Sequence, residues 1–488
     1  MKKKDLTLIA LTACWSFLFY QETAGINLSI FSILLTLGVF IRQPQVRKQK
    51  QWLLVAGCTL LSAFSVALYG NALAIWANVI ALILLTGWST DSHSSVLVSL
   101  VQGLLAWITS PVYIFLNNRR KNAENTQFSK YKKGILIAII PCIILLVFFQ
   151  LYRSSNPIFE SLTNAINFNW ISWGWVFFTL LGLFFTYGFY NAKKIDVIEL
   201  LDDEAAYTIQ EKRVKPLRIL EREIPFADEF LSGKILFILL NCLIFFVNIG
   251  DFNFIFLDNT LPKGVTFASF LHQGVGTLIV SIIISILLIL FYFRGEVNFH
   301  KKSKTMKILA ILWIIQNCLL LVSVTFKNAM YVDVYGLTYK RIGVYVYVFL
   351  TFVGLLTTVY KIIKIKSSLH LVYLNGWSFF LVLVFASLVN WDSFIIQTNR
   401  SIKRDIDMYY LISLSDATIP EVRYIIHQVK DKEKRKLYLK HLDNKTYRFK
   451  ENYKLYSWKS WNYADANVYN ELKNTHVTFN DNIYERYE

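Results

Sequence analysis

The stretch VDVYGLTYKRIGVYVYVFL, residues 332–350, joins a polar segment to a long apolar one without a linker. Lys340 and Arg341 stand directly before a run that is almost free of charge. Such runs are typical of transmembrane helices, because about 20 residues span the hydrocarbon core and every backbone amide there must be satisfied within its own segment. The stretch therefore predicts a membrane-spanning helix with two cations at its edge.

Apolar runs of this kind recur along the whole chain of 488 residues. It is 55% hydrophobic and only 17% charged, whereas soluble globular proteins carry about 25% charged residues. We predict an all-α fold, a polytopic transmembrane helix bundle of about eleven or twelve spans with a small, mainly helical tail outside the membrane. The apolar stretches are 6–20, 26–41, 52–69, 72–88, 96–116, 134–151, 171–190, 235–250, 268–293, 308–326, 342–363 and 371–390.

The basic residues predict how the spans are oriented, because Lys and Arg in short loops favour the cytoplasmic side. Four loops are basic and are predicted to be cytoplasmic: 117–133, 191–234, 294–307 and 364–370. The tail then lies on the outer side. The predicted regions are an N-terminal transmembrane region (1–116), a transmembrane core (117–390) with the cytoplasmic loop 191–234, and an extracytoplasmic helical tail (391–488).

The first third of the chain conflicts with this rule. Basic residues cluster at 42–50 and again at 119–133, and both clusters should be cytoplasmic, yet three apolar stretches lie between them. Two clusters on one side require an even number of crossings, so one of the three stretches is predicted not to cross. The weakest candidate is 72–88, because it contains Asn78.

Composition and motifs exclude several classes of function. The net charge of +18 is spread over loops between spans, where it can attract anionic lipid headgroups, and no nucleic-acid module is present. The five cysteines lie in apolar runs without a CxxC pair, and the common nucleotide, zinc-protease and nucleophile-elbow motifs are absent. No span shows a buried Asp or Glu of the kind that proton-coupled carriers use. We predict membrane lipids as partners, and no catalytic residue, cofactor, metal or nucleic acid.

Six short blocks follow one another in a recognisable order. They are YRSSNPIFESL (152–162), HQGVGTL (272–278), YGLTYKR (335–341), NWDSFIIQTN (390–399), DMYYLISLSDATIP (407–420) and WKSWNY (458–463). Together they resemble the bacterial domain-of-unknown-function 4173 family over roughly residues 130–465. The resemblance implies a multi-pass protein of the bacterial cytoplasmic (inner) membrane, and it supplies no substrate.

Under the predicted orientation these blocks lie at the outer ends of spans or in the tail. Asp392 is the expected partner of Lys340 and Arg341 on that face. The alternatives are that Arg153 and Arg341 extend to the membrane interface, that they pair with Asp392 or Asp333, or that they bind an anionic ligand such as a lipid phosphate. The candidate outer-face polar cluster is Arg153, Asn156, His272, Thr338, Arg341, Asp392 and Asn399.

Three functions remain open from the sequence. The first is a non-enzymatic envelope scaffold, sensor or assembly protein, with other envelope proteins as partners through residues 391–488. The second is a membrane enzyme or binding protein for a lipid-linked phosphate at the outer leaflet, which the scarcity of outer carboxylates disfavours. The third is a small-solute transporter, which the lack of ionisable residues in the spans disfavours. The sequence favours the first.

Overall fold

Helices form almost all of the chain that the structure describes. This computed structural model describes residues 3–90, 94–121, 141, 145, 148–149, 152–153, 155–163, 172–193, 207–209, 218–219, 222–223, 226–257, 267–300, 303–401 and 407–474. The helices up to residue 387 are α1 (Lys3–Phe19), α2 (Ile26–Arg42), α3 (Lys50–Tyr69), α4 (Ala72–Thr90), α5 (Val96–Lys121), α6 (Pro157–Thr163), α7 (Trp173–Tyr190), α8 (Phe226–Phe252), α9 (Phe267–Tyr292), α10 (Ser303–Tyr335), α11 (Tyr339–Lys364) and α12 (Ser368–Ser387).

The tail contributes five further helices. They are α13 (Trp391–Ser401), α14 (Met408–Ser413), α15 (Ile419–His427), α16 (Lys432–Lys454) and α17 (Tyr463–Leu472). Short 3-10 helices occur at Pro44–Lys48, Glu296–Asn298, Asp416–Thr418 and Trp458–Ser460, and a π-helix occurs at Asn253–Leu257. The two strands described are β1 (Arg218–Ile219) and β2 (Arg222–Glu223), which pair antiparallel.

The long helices confirm a polytopic membrane bundle. Seven of the described helices are long and apolar enough to cross a membrane: α3, α4, α7, α8, α10, α11 and α12. Shorter apolar helical segments lie at Leu6–Phe19, Ile26–Arg42, Val96–Ser110 and Gly276–Tyr292. Large apolar side chains such as Phe246 and Leu239 point outward, as a lipid-facing surface requires. This is an integral membrane protein.

Contacts between helices fix which helix ends lie together. One end, which we call the basic face, comprises the loops 43–49, 191–193, 293–300 and 365–367. There Arg42 Nη2 donates to Asn191 Oδ1 at 2.7 Å, and Lys361 Nζ donates to the Phe293 carbonyl at 2.9 Å. The opposite end, the tail face, comprises the loops 20–25, 70–71 and 336–338 together with the tail, and there the Ile26 amide donates to the Trp461 carbonyl at 2.8 Å.

The helix α4 corrects the prediction for the stretch 72–88. It runs over 19 residues with a mean hydropathy of 1.8, equal to that of α3, and 61% of it is buried in the bundle. Asn78 does not weaken it, because its side chain accepts from Ser32 Oγ at 2.7 Å and donates to the Thr59 carbonyl and to Ser62 Oγ. The prediction that 72–88 is the weakest span was therefore wrong.

The conflict between the two basic clusters over the number of crossings therefore depends on the part of the chain after α5. Gln51 Nε2, just after the loop 43–49, donates to Tyr373 Oη at 3.2 Å, just after the loop 365–367, so the loop 43–49 lies at the same face as the later basic loops. Much of the predicted cytoplasmic loop 117–133 and of the candidate span 134–151 lies outside the described residues. So does most of the loop 191–234, whose last nine residues, from Phe226 onward, belong to α8.

The tail forms a helical module with an apolar core of its own. Leu411, Ile426 and Leu442 from three tail helices are among its most buried residues. Leu337 and Ile342 from the membrane bundle belong to the same core, so the module packs directly on the bundle. Helix α15 starts next to Pro420 and buries Val422, Ile425 and Ile426, the apolar stripe that its spacing predicts.

Candidate functional site

A tight turn between α10 and α11 lies at the centre of the predicted cluster. Gly336 adopts φ +81°, a conformation that favours glycine, and a Cβ atom there would lie 2.8 Å from Asn399 Oδ1. The next residue, Leu337, is almost fully buried in the core of the tail module. The block YGLTYKR therefore builds a turn that enters the tail, and Gly336 is required both by its backbone angle and by the close approach of Asn399.

Three tail side chains hold this turn, and we call them the turn clamp: Asp392, Asn399 and Tyr410. Asn399 binds both backbone groups of Leu337, since its Nδ2 donates to the carbonyl at 2.9 Å and its Oδ1 accepts from the amide. Asp392 accepts a hydrogen bond from Tyr339 Oη at 2.8 Å, and Tyr410 Oη accepts from the Tyr339 amide at 2.9 Å. Asp392 and Asn399 are both buried, so the tail covers these polar groups.

Arg341 is bound by backbone carbonyls. Its Nη1 donates to the Tyr335 carbonyl at 2.9 Å and also to the Gly336 carbonyl, and its guanidinium lies 4.2 Å from the centre of the Tyr331 ring. Asp392 was the expected partner, but no ion pair joins the two in the part of the chain that the structure describes. A cation suits this position because the carbonyls at the end of a helix carry a partial negative charge.

Beside this turn an open groove runs between α9, α10 and α11, with α14 at one edge. It has a volume of about 630 Å³ and mostly apolar walls. Lys340 is exposed at its mouth, and none of the described residues accepts a hydrogen bond from it or pairs with it. The groove is lined by Gly276, Ile279, Asn328, Tyr331, Thr338, Tyr339, Lys340, Arg341, Val344 and Tyr410.

The structure brings four of the seven predicted residues together. Thr338, Arg341, Asp392 and Asn399 surround the α10–α11 turn, as described above. Asn156 instead caps α6, since its Oδ1 accepts from the amides of Ile158 and Phe159 at 3.0 and 3.2 Å. Of the other two, Arg153 is partly buried in a short helical segment, and His272 lies on α9 with its side chain outside the described residues.

Several residues of this site were missed from the sequence. Tyr339 and Tyr410 were not among the seven predicted residues, although the Tyr339 hydroxyl donates to Asp392 and the Tyr410 hydroxyl accepts from the Tyr339 amide. Gly276 was not considered, although it opens the groove, since a Cβ there would contact nothing within 4 Å. The blocks YGLTYKR, HQGVGTL and DMYYLISLSDATIP contain these residues, so the signal was present in the motifs but did not indicate which residue acts.

A second contact holds the tail against the loop between α1 and α2, and we call it the N-terminal clamp: Glu22, Lys459, Ser460 and Trp461. Lys459 Nζ lies 2.9 Å from Glu22 Oε1, and Ser460 Oγ donates to Glu22 Oε2 at 2.7 Å. Partial burial raises the pKa of Glu22, but the hydrogen bonds from Ser460, Lys459 and Ser457 outweigh it, so the net pKa is lowered. A Cβ on Gly25 would lie 2.6 Å from the Ser460 carbonyl, so the approach is close.

An ion pair lies between two of the long apolar helices. Lys327 of α10 donates to Asp251 of α8 at 2.7 Å, and Ser323 also donates to Asp251. Lys327 is 5% exposed, and Asp251 falls within the candidate span Ala227–Leu257. The predicted stretch 235–250 ends just before Asp251, whereas the candidate span in the structure includes this half-buried carboxylate. Ionisable residues within membrane segments are commonly paired in this way.

Amide side chains inside the bundle mostly join neighbouring helices. Gln316 Nε2 donates to Asn241 Oδ1 at 2.7 Å, and Asn375 Nδ2 donates to Thr357 Oγ1 at 3.1 Å. Asn317 donates to its own helix, to the Trp313 carbonyl. Bonds between helices are the usual role of such residues in membranes. Among the described residues, no group of three or more His, Cys, Asp or Glu is arranged to hold a metal ion.

The chain matches one known protein family over most of its length. A model whose description is Domain of unknown function (DUF4153) matches residues 7–424. The chain belongs to this family. The DUF4153 region includes the bundle, the α10–α11 turn and the whole turn clamp, whereas the N-terminal clamp residues Lys459 to Trp461 lie beyond it. The match confirms a domain of unknown function but not the number 4173. No curated protein and no solved structure matches the chain significantly.

Proposed function

We propose that this DUF4153 protein is a non-enzymatic scaffold or assembly protein of the bacterial envelope, which holds a helical module rigidly on one face of its membrane bundle. The observation that carries the proposal is the burial of Asp392 and Asn399 in contacts with the α10–α11 turn. Polar groups whose hydrogen bonds are made to the turn in this way fix the module in place and are not free for chemistry.

Two separate attachments support a rigid display. The turn clamp binds the tail to the second half of the bundle through Leu337, and the N-terminal clamp binds it to the first half through Glu22 and Ile26. A module that is held at two distant points cannot rotate about either one. This suits a surface whose position relative to the membrane matters for assembly.

The orientation belongs to the same proposal. Arg42, Arg47, Arg294 and Lys304 lie at or beside the loops of the basic face, and Lys and Arg in short loops favour the cytoplasm. We therefore place the tail face outside the cytoplasmic (inner) membrane. Under this orientation the module at residues 391–488 is the part that other envelope proteins can reach.

One helix of the module, α16, is strongly basic. Helix α16 carries nine Lys and Arg residues against three acidic ones. Lys432, Arg435, Lys436 and Lys440 line one shallow pocket of about 420 Å³, and the one carboxylate there, Asp443, is already paired with Arg423 at 2.7 Å. The expected partner is therefore an envelope protein with an acidic surface, because complementary charge guides association.

Photo-crosslinking in intact cells tests this function. A benzoylphenylalanine at position 436 or 440 on α16 is expected to give a discrete adduct with one envelope protein. The same group at position 246, on the lipid-facing side of α8, serves as the control and is expected to give none. Undocking the module with Gly25→Val and Asn399→Ala together should abolish the adduct. If no position on α16 gives an adduct, or if undocking leaves it unchanged, the scaffold function is wrong.

A further inference from the structure

We infer that the groove between α9, α10 and α11 binds a membrane lipid with a phosphate headgroup. This ligand-binding site goes beyond the proposed scaffold function, which depends on other residues. The inference rests on three properties of the groove: its place at the end of apolar helices, the shape of its walls, and the charge at its mouth.

The groove opens toward the lipid-facing surface of the bundle. Ile279 and Val344 form part of its wall, and the exposed apolar residues Val280 and Ile284 continue along α9 beyond it. The apolar stripe along α9 can therefore receive an acyl chain that leaves the groove. The opening itself depends on Gly276, because any side chain there would project into the space.

The mouth of the groove concentrates positive charge. Lys340 and Arg341 fall in the first turn of α11, where the helix dipole is also positive, and that turn has no acidic residue. The carbonyls that bind Arg341 offset part of this charge, whereas Lys340 is paired with none of the described residues, so the mouth of the groove remains positive. On the tail side, Asp392 is buried and accepts the hydroxyl hydrogen bond of Tyr339.

The two cations have different roles at this mouth. Arg341 is held in position by two carbonyls and by the Tyr331 ring, so its charge is preorganised and costs little further ordering on binding. Lys340 is free to reach a phosphate oxygen. Thr338 starts α11 without a side-chain bond to the helix, so its hydroxyl is a further available donor. Together they match a phosphate group, which accepts several hydrogen bonds.

The combination favours a lipid over a soluble anion or a peptide. A soluble phosphate would use the charges but none of the apolar wall. An apolar peptide would bury the wall but leave the cations unpaired. The tyrosines at 331, 339 and 410 have an apolar ring and a polar tip, as residues at the level of lipid headgroups commonly do.

The test compares three probes with the purified full-length protein in a neutral detergent. Dioleoyl phosphatidic acid has both chemical parts, dioleoylglycerol has the same chains without phosphate, and inorganic phosphate has no chains. Titrations followed by native mass spectrometry give the affinity of each probe. We expect saturable binding of phosphatidic acid alone. Equal binding of dioleoylglycerol would show ordinary contact with apolar surface, and equal binding of inorganic phosphate would show a plain anion site; either result would overturn the inference.

Variants locate the site. Gly276→Phe fills the groove and should weaken binding of phosphatidic acid at least tenfold, whereas Gly343→Phe, on α11 outside the groove, should not. Both positions have open space around the Cβ atom, so neither substitution should unfold the helix.

The charge is tested separately. Lys340→Ala should raise the Kd for phosphatidic acid about tenfold, whereas Lys340→Arg should retain the binding. Lys304→Ala on the basic face is the matched control, because it removes another exposed lysine, one at the opposite end of the bundle from the groove. Unchanged affinity in Gly276→Phe and Lys340→Ala would overturn the inference, whatever the crosslinking of α16 shows.

Discussion

At the scale of single residues, Arg341 shows how a membrane-edge cation can be satisfied without an opposite charge. It binds two carbonyls where α10 ends and lies against the Tyr331 ring. Sequence reasoning predicted that a cation at this point needs a partner, but an aspartate is only one of the groups that can serve. A sequence motif does not indicate which backbone carbonyls bind a side chain, because every residue has one. The residue was identified from the sequence, and its partner could not be.

The pair Asp251–Lys327 gives a prediction at the same scale. Asp251→Leu leaves Lys327 buried without its carboxylate, so the free energy of unfolding should fall by about 3–5 kcal/mol. Adding Lys327→Met removes the buried charge as well and should restore most of the stability, because apolar replacement of a buried pair is often neutral. Thermal unfolding of the purified protein in detergent measures both. A double variant as unstable as Asp251→Leu would contradict this account.

Asn399 gives a second residue-scale prediction. Asn399→Ala leaves the buried amide and carbonyl of Leu337 without partners, and each lost bond costs about 1–3 kcal/mol. The loss should appear mainly as faster hydrogen exchange at the Leu337 amide. Gln397→Ala on the exposed side of α13 is the control, since the side-chain hydrogen bond of Gln397 among the described residues is a long one to Ser393 Oγ, at 3.4 Å. Equal hydrogen-exchange rates of the Leu337 amide in both variants would show that Asn399 does not hold the turn.

At the scale of helices, the sequence located the membrane segments but ended two of them well inside the helix that the structure shows. The stretch 308–326 is part of α10, which runs over Ser303–Tyr335, and the stretch 235–250 is part of α8, which runs over Phe226–Phe252. Hydropathy stops at the first charge, whereas the helix continues if that charge has a partner. Lys327 lies inside α10 because Asp251 neutralises it. Such pairs depend on tertiary contacts and cannot be read from one segment.

The α10–α11 turn gives a prediction for an element. Gly336→Ala places a Cβ at a positive φ and 2.8 Å from Asn399, so it should lower the free energy of unfolding by more than about 1 kcal/mol. Gly343→Ala, in open space within α11, should be neutral or stabilise by about 0.5–1 kcal/mol. Denaturation of the two variants under the same conditions compares them. If Gly336→Ala is as stable as Gly343→Ala, the turn does not need its glycine.

At the scale of the whole molecule, the blocks of the sequence proved to be neighbours in part. The blocks around residues 335–341, 390–399 and 407–420 meet at the α10–α11 turn, whereas WKSWNY contacts the loop after α1 instead. A common face could be predicted from the alternation of basic loops. The division of the tail between two attachment points could not, because it depends on how the bundle places its loops side by side.

The N-terminal clamp predicts a dependence of tail docking on pH. The pKa of Glu22 is lowered from its usual 4.5 when the tail is docked, so the ionised form stabilises docking. This contribution is present above about pH 4.5 and is lost as the pH falls through the lowered value. Asp465 acts in the opposite direction, because burial raises its pKa in the docked module.

Hydrogen exchange isolates the contribution of Glu22. The amide of Ile26 donates to Trp461 and so reports docking directly. Its protection factor should fall below pH 4.5 in the wild type, whereas Glu22→Gln should be weakly protected at every pH and lose this dependence. If the protection of the Ile26 amide falls equally in the wild type and in Glu22→Gln, groups other than Glu22 cause the pH dependence.

The bond between Ile26 and Trp461 also has a consequence for biogenesis. Its two residues are 435 positions apart, so the loop that receives the tail is synthesised long before its partner exists. Contacts of such high sequence separation form late, after the intervening helices have been inserted. Until then Gly25 and Glu22 remain uncovered. A ribosome that stops early would therefore release a chain with an open docking site, which quality-control proteases could recognise as unfinished.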